Sequence, residues 1–172
     1  MVNNLAHTQA VSLTTAVNLS DMKISSNPVE TLVAFSIGSG IGLAIHDSVI
    51  GVGGILNIML PDSTQTTGIS AERSPFMFAD TAVPSFIQAL YEQGTLPERM
   101  KVVIVGGANI VDCNGLFNIG QKNREAVQTF LSQHHLNIHY EDTGGTISRT
   151  LSLEIGSGCS SIRIFGRGEL KI

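Results

Sequence analysis

The sequence is poor in the features that announce the commonest chemistries. It has two cysteines, Cys113 and Cys159, in 172 residues. They stand far apart and outside any Cys-x-x-Cys pair, so neither a disulfide framework nor a thiolate zinc site is indicated. Its ten lysines and arginines are scattered from Lys23 to Lys171, and the formal net charge is -4. Without a basic cluster, nucleic acid is excluded as an expected partner. No apolar run approaches the roughly 18 residues that span a bilayer, and the opening Met-Val-Asn-Asn-Leu lacks the basic region that precedes the apolar core of a secretion signal. A cytoplasmic protein without membrane insertion is therefore expected. Of the five histidines, three fall in His134-His135-x3-His139. The alternation that follows, Leu136 to Tyr140, predicts the start of a strand there, and no carboxylate stands at ligand spacing, so no metal site is expected.

With 42% hydrophobic residues, the chain is long enough to bury a core of its own. Residues 1–18, rich in Ser, Thr and Asn, read as a flexible lead-in or a loosely attached edge, and residues 19–172 as a single domain. Thr31 to Ile37 is a continuous apolar, partly β-branched run, as expected of a strand buried on both faces. Ile41 to Ile45 and Ile55 to Leu60 predict two more strands, and Lys101 to Val105 a fourth. Residues 62–75 read as an exposed loop of functional length or a disordered one. Val83, Phe86, Ile87, Leu90 and Tyr91 recur at helical spacing, with Asp80 or Thr81 as the N-cap, Pro84 in the first turn and Gly94 as the stop. Ala126, Val127, Phe130 and Leu131 predict a second helix. Leu151, Leu153 and Ile155, then Ile162 and Ile164, alternate as half-buried antiparallel strands do. Too few helices are present for a doubly wound sheet. The expectation is an α+β layered sandwich of mixed, mainly antiparallel β-sheets with two principal helices packed on one side.

Three motifs invite chemistry. Gly38-Ser39-Gly40-Ile41-Gly42 follows a strand, as a phosphate-cradling loop would, but no helix N-terminus follows it. It also lacks the first glycine of a nucleophile elbow, where Ile37 stands. A sharp strand-to-strand turn is the simpler reading, and no cofactor is expected. Ser39, His46 and Asp47 hold the residue types of a triad, yet a surface turn explains His46-Asp47-Ser48 more simply. Glu141-Asp142-Thr143-Gly144-Gly145 is either a paired-carboxylate site or a solvated strand end before a glycine turn.

From about Leu19 onward the sequence resembles the CheD family of bacterial chemotaxis proteins. The resemblance is carried in order by Met22-Lys23-Ile24-Ser25, Ile37-Gly38-Ser39, Val52-Gly53-Gly54, Met59-Leu60-Pro61-Asp62-Ser63 and Phe78-Ala79-Asp80-Thr81-Ala82-Val83. It continues in Gly106-Gly107-Ala108-Asn109, Asn118-Ile119-Gly120-Gln121-Lys122-Asn123 and Glu141-Asp142-Thr143-Gly144-Gly145. The resemblance implies deamidation of chemoreceptor glutamines by a cysteine nucleophile and a histidine base, and binding to the phosphatase CheC. Three departures bear on that activity. The nucleophile of the family directly follows Gly-Ser, where this chain has Gly40. The family's histidine matches Asn57, which cannot act as a base near neutral pH, and its assisting threonine matches Ala34.

The expectation is therefore a catalytically inactive relative that binds a CheC-like phosphatase or chemoreceptor cytoplasmic helices through Ser39, Gly40, Asn57, Gly106, Gly107 and Asn109. Two alternatives stand beside it. One is an active deamidase with relocated catalytic residues, for which Ser39 and Cys113 are the candidates. The other is a small-molecule sensor using the emptied pocket around Ser39, Gly40 and Asn57.

Overall fold

The structure, a computed structural model, describes residues 13–64, 72–110 and 118–172. These form strands β1 (Leu13–Ala16), β2 (Asp21–Ser25), β3 (Glu30–Ile37), β4 (Ile41–Asp47) and β5 (Val52–Ile58), helix α1 (Ala79–Glu92), β6 (Met100–Gly106) and α2 (Ile119–Gln133). β7 (Ile138–Thr143), β8 (Arg149–Glu154), β9 (Ser160–Ile164) and β10 (Gly168–Lys171) complete the order. One sheet runs β1-β3-β8-β9-β10 and the other β2-β5-β4-β6-β7. Pairing is antiparallel except for β1 with β3 and β6 with β7, the latter pair joined through α2. The architecture is an α+β sandwich in three layers.

The second sheet lies between two cores, which explains why its central strands read as unbroken apolar runs. Every residue of β4 and of β5 is buried. Ile41, Leu43 and Ile45 of β4 point to the helices, packing with Phe86, Ile87 and Leu90 of α1 and Val127 and Leu131 of α2. Ala44, Ile55, Val103 and Val105 point the other way, onto Leu32, Ala34 and Leu151 of the first sheet. Each large apolar side chain so buried contributes about 1.5–3 kcal/mol. β8, with its outer face in water, shows strict alternation instead.

Several local expectations need correction. Leu13–Ala16 pairs in register with β3 as an edge strand, and Val17 is buried. Helix α1 begins earlier than expected, with Phe78 as its N-cap. Asp80 instead accepts bonds from the amide and hydroxyl of Ser63, and Thr81 donates to the Pro75 carbonyl. Pro84 consequently falls inside the helix. β5 ends at Ile58, and Leu60 makes only an isolated bridge to Phe78. His46 and Asp47 are no surface turn: they are 4% and 0% exposed at the end of β4. The Asp47 carboxylate accepts from Val49 N, Leu96 N and Arg99 Nε at 3.0, 3.3 and 2.9 Å. Burial alone would raise its pKa, but the Val49 amide, Arg99 and the Leu96 amide outweigh burial and hold the carboxyl below its usual value.

Candidate functional site

The site is built where β3 leaves one sheet and the chain enters β4 of the other. Between Ala34, paired with Leu151, and Ile37, paired with Arg149, β3 carries an extra residue. This bulge places Ser36 at φ 53° and turns Phe35 outward, 59% exposed. Bulges bend strands and re-aim side chains, and this one steers the chain through Gly38-Ser39-Gly40 into β4.

Gly40 is required by contact, not by φ. A Cβ placed on it would lie 2.3 Å from the carbonyl oxygen of Ile58, at the end of β5. That neighbour is backbone, so no side-chain adjustment relieves the overlap. The turn is fixed on its other flank as well. Gly40 O accepts from Gly107 N at 2.7 Å, and Gly38 O accepts from Ala108 N at 2.9 Å. Asn123, fully buried on α2, donates from Nδ2 to Ser39 O at 2.8 Å and to Met59 O at 2.9 Å, tying the turn to the end of β5.

Beside the turn opens a cleft of about 270 Å³ at the edge of the two sheets, walled by Val17, Leu19, Phe35 and Ile37 and bordered by Gly40 and Asn57. None of the described residues that line it is charged. Asn57 stands on β5 opposite Gly42, on the face that Ile55 also presents to the first sheet. It is 3% exposed, and its Oδ1 has no hydrogen-bond partner among the described residues. Around the mouth, Leu19 and Phe35 are more than half exposed, while Met59 at 40% and Ile110 at 43% flank the same turn. Ile110 Cδ1 lies 2.9 Å from where a Cβ on Gly38 would be.

The expected site residues are only partly brought together. Gly40 and Asn57 share the cleft, whereas Ser39 does not line it. Ala34 is fully buried among Leu32, Leu151 and Leu153 and does not line this cleft. Gly107 and Asn109 line a neighbouring cleft of about 240 Å³ with Gly120, Gln121, Arg124 and Gly145. Gly106 lies between the two, since a Cβ on it would lie 2.3 Å from Gly40 O. Cys113 lies outside the described residues.

The other motifs separate. Ser39 and His46 stand at opposite ends of β4, and His46 Nε2 bonds to the Ile155 carbonyl at 2.9 Å. The Glu141-Asp142 pair is split between partners. Glu141 accepts from Gln128 and Thr143, while Asp142 pairs with Arg149 at 2.7 Å. His134 caps α2, His135 adopts φ 56° and His139 lies exposed on β7. Among the described residues, no three potential metal ligands cluster.

The residue that sequence reasoning left without a role is Asn123. Its signal was available: Gly120, Asn123, Val127 and Leu131 share the buried stripe of α2, and an amide in such a stripe must have a polar task.

The fold is thus a two-sheet sandwich with helices on one face, holding a glycine-pinned turn beside a cleft. Residues 59–164 match the family model described as CheD chemotactic sensory transduction. A Syntrophus aciditrophicus protein named "Probable chemoreceptor glutamine deamidase CheD 1" is 40% identical over 142 residues, covering 83% of this chain and 88% of the relative. A Symbiobacterium thermophilum protein named "Probable chemoreceptor glutamine deamidase CheD" is 36% identical over 157 residues, covering 90% of this chain and 94% of the relative. The chain belongs to the CheD family. Among solved structures, the hypothetical protein YfiH of Bacillus licheniformis is similar at a TM-score of 0.46 with 13% identity, over 72% of this chain and 50% of that one. No helix among the described residues is long and apolar enough to cross a membrane.

Proposed function

We propose that this chain acts in chemotactic signalling as a binding relative of the glutamine deamidases, in the cytoplasm, engaging chemoreceptor helices or a CheC-like phosphatase without deamidating. The observation that carries this reading is the 2.3 Å separation between a Cβ on Gly40 and the Ile58 carbonyl. At the position matching the nucleophile there is neither a side chain nor space for one. Asn57, at the position matching the base, can accept or donate a hydrogen bond but cannot take a proton from a thiol near neutral pH. The exposed collar of Leu19, Phe35, Met59 and Ile110 supplies apolar contact of the kind that anchors a partner. The neighbouring cleft that holds Gly107 and Asn109 widens the surface available to it.

The test combines chemistry and binding. Purified protein is incubated with chemoreceptor cytoplasmic fragments, following ammonia release and the mass of the fragment, while pull-downs with the fragments and with a CheC-like phosphatase read binding. Silence in the first assay with retention in the second supports the reading. Deamidation abolished by Cys113→Ala would instead establish a relocated nucleophile. A Gly40→Cys, Asn57→His double variant is expected to stay silent as well, because the Ile58 carbonyl stands where the new side chain must start. A second reading, a small-molecule sensor, is favoured by the cleft of about 270 Å³ that Gly40 and Asn57 border. Thermal-shift screening against small neutral polar compounds tests it.

A further inference from the structure

The second cleft, of about 240 Å³, lies where the exit of β6, the start of α2 and the turn from β7 to β8 meet. We propose that it is a phosphate-binding site, with Arg124 supplying the charge. This site is independent of whether the cleft at Gly40 reacts.

The first observation is a cation without a counter-charge. Among the described residues that line the cleft, Arg124 is the one that is charged. Its Nε is buried and has no hydrogen-bond partner, and no carboxylate among the described residues pairs with its guanidinium. Two other arginines drawn into the fold are treated differently: Arg99 meets Asp47 at 2.8 Å and Arg149 meets Asp142 at 2.7 Å. A guanidinium partly withdrawn from water and left unpaired carries a cost that an arriving anion offsets.

Second, the rest of the lining offers polar groups and backbone but no acidic side chain. Asn109 and Gln121 contribute side-chain amides, and Gly107, Gly120, Gly144 and Gly145 leave the walls as bare backbone. A Cβ on Gly120 would lie 2.4 Å from the Gly107 carbonyl oxygen, so β6 and α2 approach backbone to backbone, while Cβ atoms on Gly144 and Gly145 would meet nothing within 4 Å. Gly120 and Gln121 belong to the first turn of α2, which holds no acidic residue and whose N-cap, Asn118, makes no side-chain cap bond. The positive end of that helix would carry nothing alone, but beside an unpaired arginine it adds field of the same sign.

Third, the walls are fixed before any ligand arrives. Arg149 donates to the carbonyls of Gly144 and Ile147 at 2.7 and 2.9 Å, while Gly144 N donates to Gly106 O and Asn109 N to Gly145 O, both at 2.8 Å. A site held in this way avoids the ordering cost that a loose loop adds on binding.

These features discriminate among ligands. A metal cation or an ammonium would meet a guanidinium and no carboxylate. A carboxylate brings two acceptor oxygens, whereas a phosphate brings three, so that Arg124 can be met while oxygens remain for the side-chain amides and the start of α2. The volume falls below the roughly 300–1,000 Å³ of pockets for drug-sized ligands, which suits inorganic phosphate or a phosphomonoester of a few carbons.

The test titrates inorganic phosphate into the isotopically labelled full chain at pH 7, with ionic strength held constant by sodium chloride, and follows the backbone amides of Gly107, Gly120 and Gly145 by NMR. Saturable shifts of these amides are expected. Arg124→Gln, which keeps a polar stem and loses the charge, is expected to weaken binding at least about tenfold, its melting temperature in phosphate-free buffer confirming the fold. Should that variant unfold, Arg124→Lys takes its place, with a smaller loss expected because the ammonium keeps the charge but not the fork. Lys122→Gln, at an exposed neighbour outside the cleft lining, is expected to bind as the native chain does. Absent shifts, shifts scattered over the surface as from an adventitious ion only, affinity unchanged by the Arg124 variant, or an equal loss in Lys122→Gln would each overturn the proposal.

Glycerol 3-phosphate and acetate complete the comparison. Tighter binding of glycerol 3-phosphate than of inorganic phosphate identifies a phosphorylated small molecule as the source, and equal or weaker binding identifies free phosphate. Acetate bound as tightly as either would refute phosphate as the ligand class.

Discussion

The two ends of β4 treat buried polarity in opposite ways. At one end, Asp47 is sealed from water and every demand of its carboxylate is met, by Val49 N, Leu96 N and the Arg99 guanidinium at 2.8 Å. At the other, Gly42 faces Asn57, whose Oδ1 is met by nothing, and Gly40 is pressed against a carbonyl. The first end is what a strand does with a buried charge when only stability is at stake. The second tolerates an unmet acceptor and a position that admits glycine alone, and it is the end beside a cleft. The difference is in how the facing polar side chain is met: Asp47 by three donors, Asn57 Oδ1 by none among the described residues.

Breaking the satisfied end should have the larger effect. Asp47→Ala strips Arg99 and two amides of their acceptor and is expected to destabilise the fold by about 3 kcal/mol, measured by urea unfolding. Because the Asp47 carboxyl is held below its usual value, its contribution is present above the ordinary carboxylate pKa of about 4 and is lost as pH falls through the lower folded value. Melting temperature followed from neutral to acid pH should therefore drop in the native protein with a component that Asp47→Asn lacks. A matching acid limb in the variant would assign it elsewhere, with Glu30 the next group to examine. The Ser25 and Thr15 hydroxyls lower that carboxyl too, against a smaller opposing effect of burial.

At the other end, Gly40→Ala forces a Cβ toward the Ile58 carbonyl and should cost about 2–3 kcal/mol. A neutral result would mean that β5 yields there, and with it would go the argument that no nucleophile fits. Asn123→Ala removes the two bonds that tie Ser39 and Met59 together and should cost about 2 kcal/mol. It should also weaken partner binding, since the cleft mouth loosens. The smallest effect sharpens the comparison most. Asn57→Leu, which removes an unmet acceptor, should be neutral or stabilising by up to about 1 kcal/mol in the free protein, read as an unchanged or raised melting temperature. Substantial destabilisation would show that Asn57 belongs with Asp47, as structure.

Much of the fold was legible because burial on two faces leaves its mark in composition. β4 and β6 appear as unbroken apolar runs, α1 and α2 as stripes at helical spacing, and β8 as alternation, whereas β3, whose apolar run also reads as burial on both faces, has Phe35 and Ser36 exposed in the outer sheet. β1 and β2 were not legible. They are short edge strands, β1 largely exposed and β2 half-buried, and the pairing that makes them strands uses backbone groups that every residue shares. The start of α1 was misplaced because Asp80 and Thr81 have the side chains of a cap but spend them on Ser63 and Pro75. In the same way, Asn123 carried a detectable signal in its buried stripe, while the orphaned oxygen of Asn57 carried none.

By itself the sequence determined the layered α+β arrangement, the family, and the identities at positions 34, 40 and 57, because these depend on residue type and order along the chain. Only the tertiary structure decided that Gly40 abuts the Ile58 carbonyl, that Asn57 lies in an uncharged cleft with its oxygen unmet, and that Gly107 and Asn109 belong to a second cleft while Ala34 belongs to neither. Those are relations across gaps of a few ångströms between segments distant in the chain, and they arise from how two twisted sheets meet at the β3 bulge.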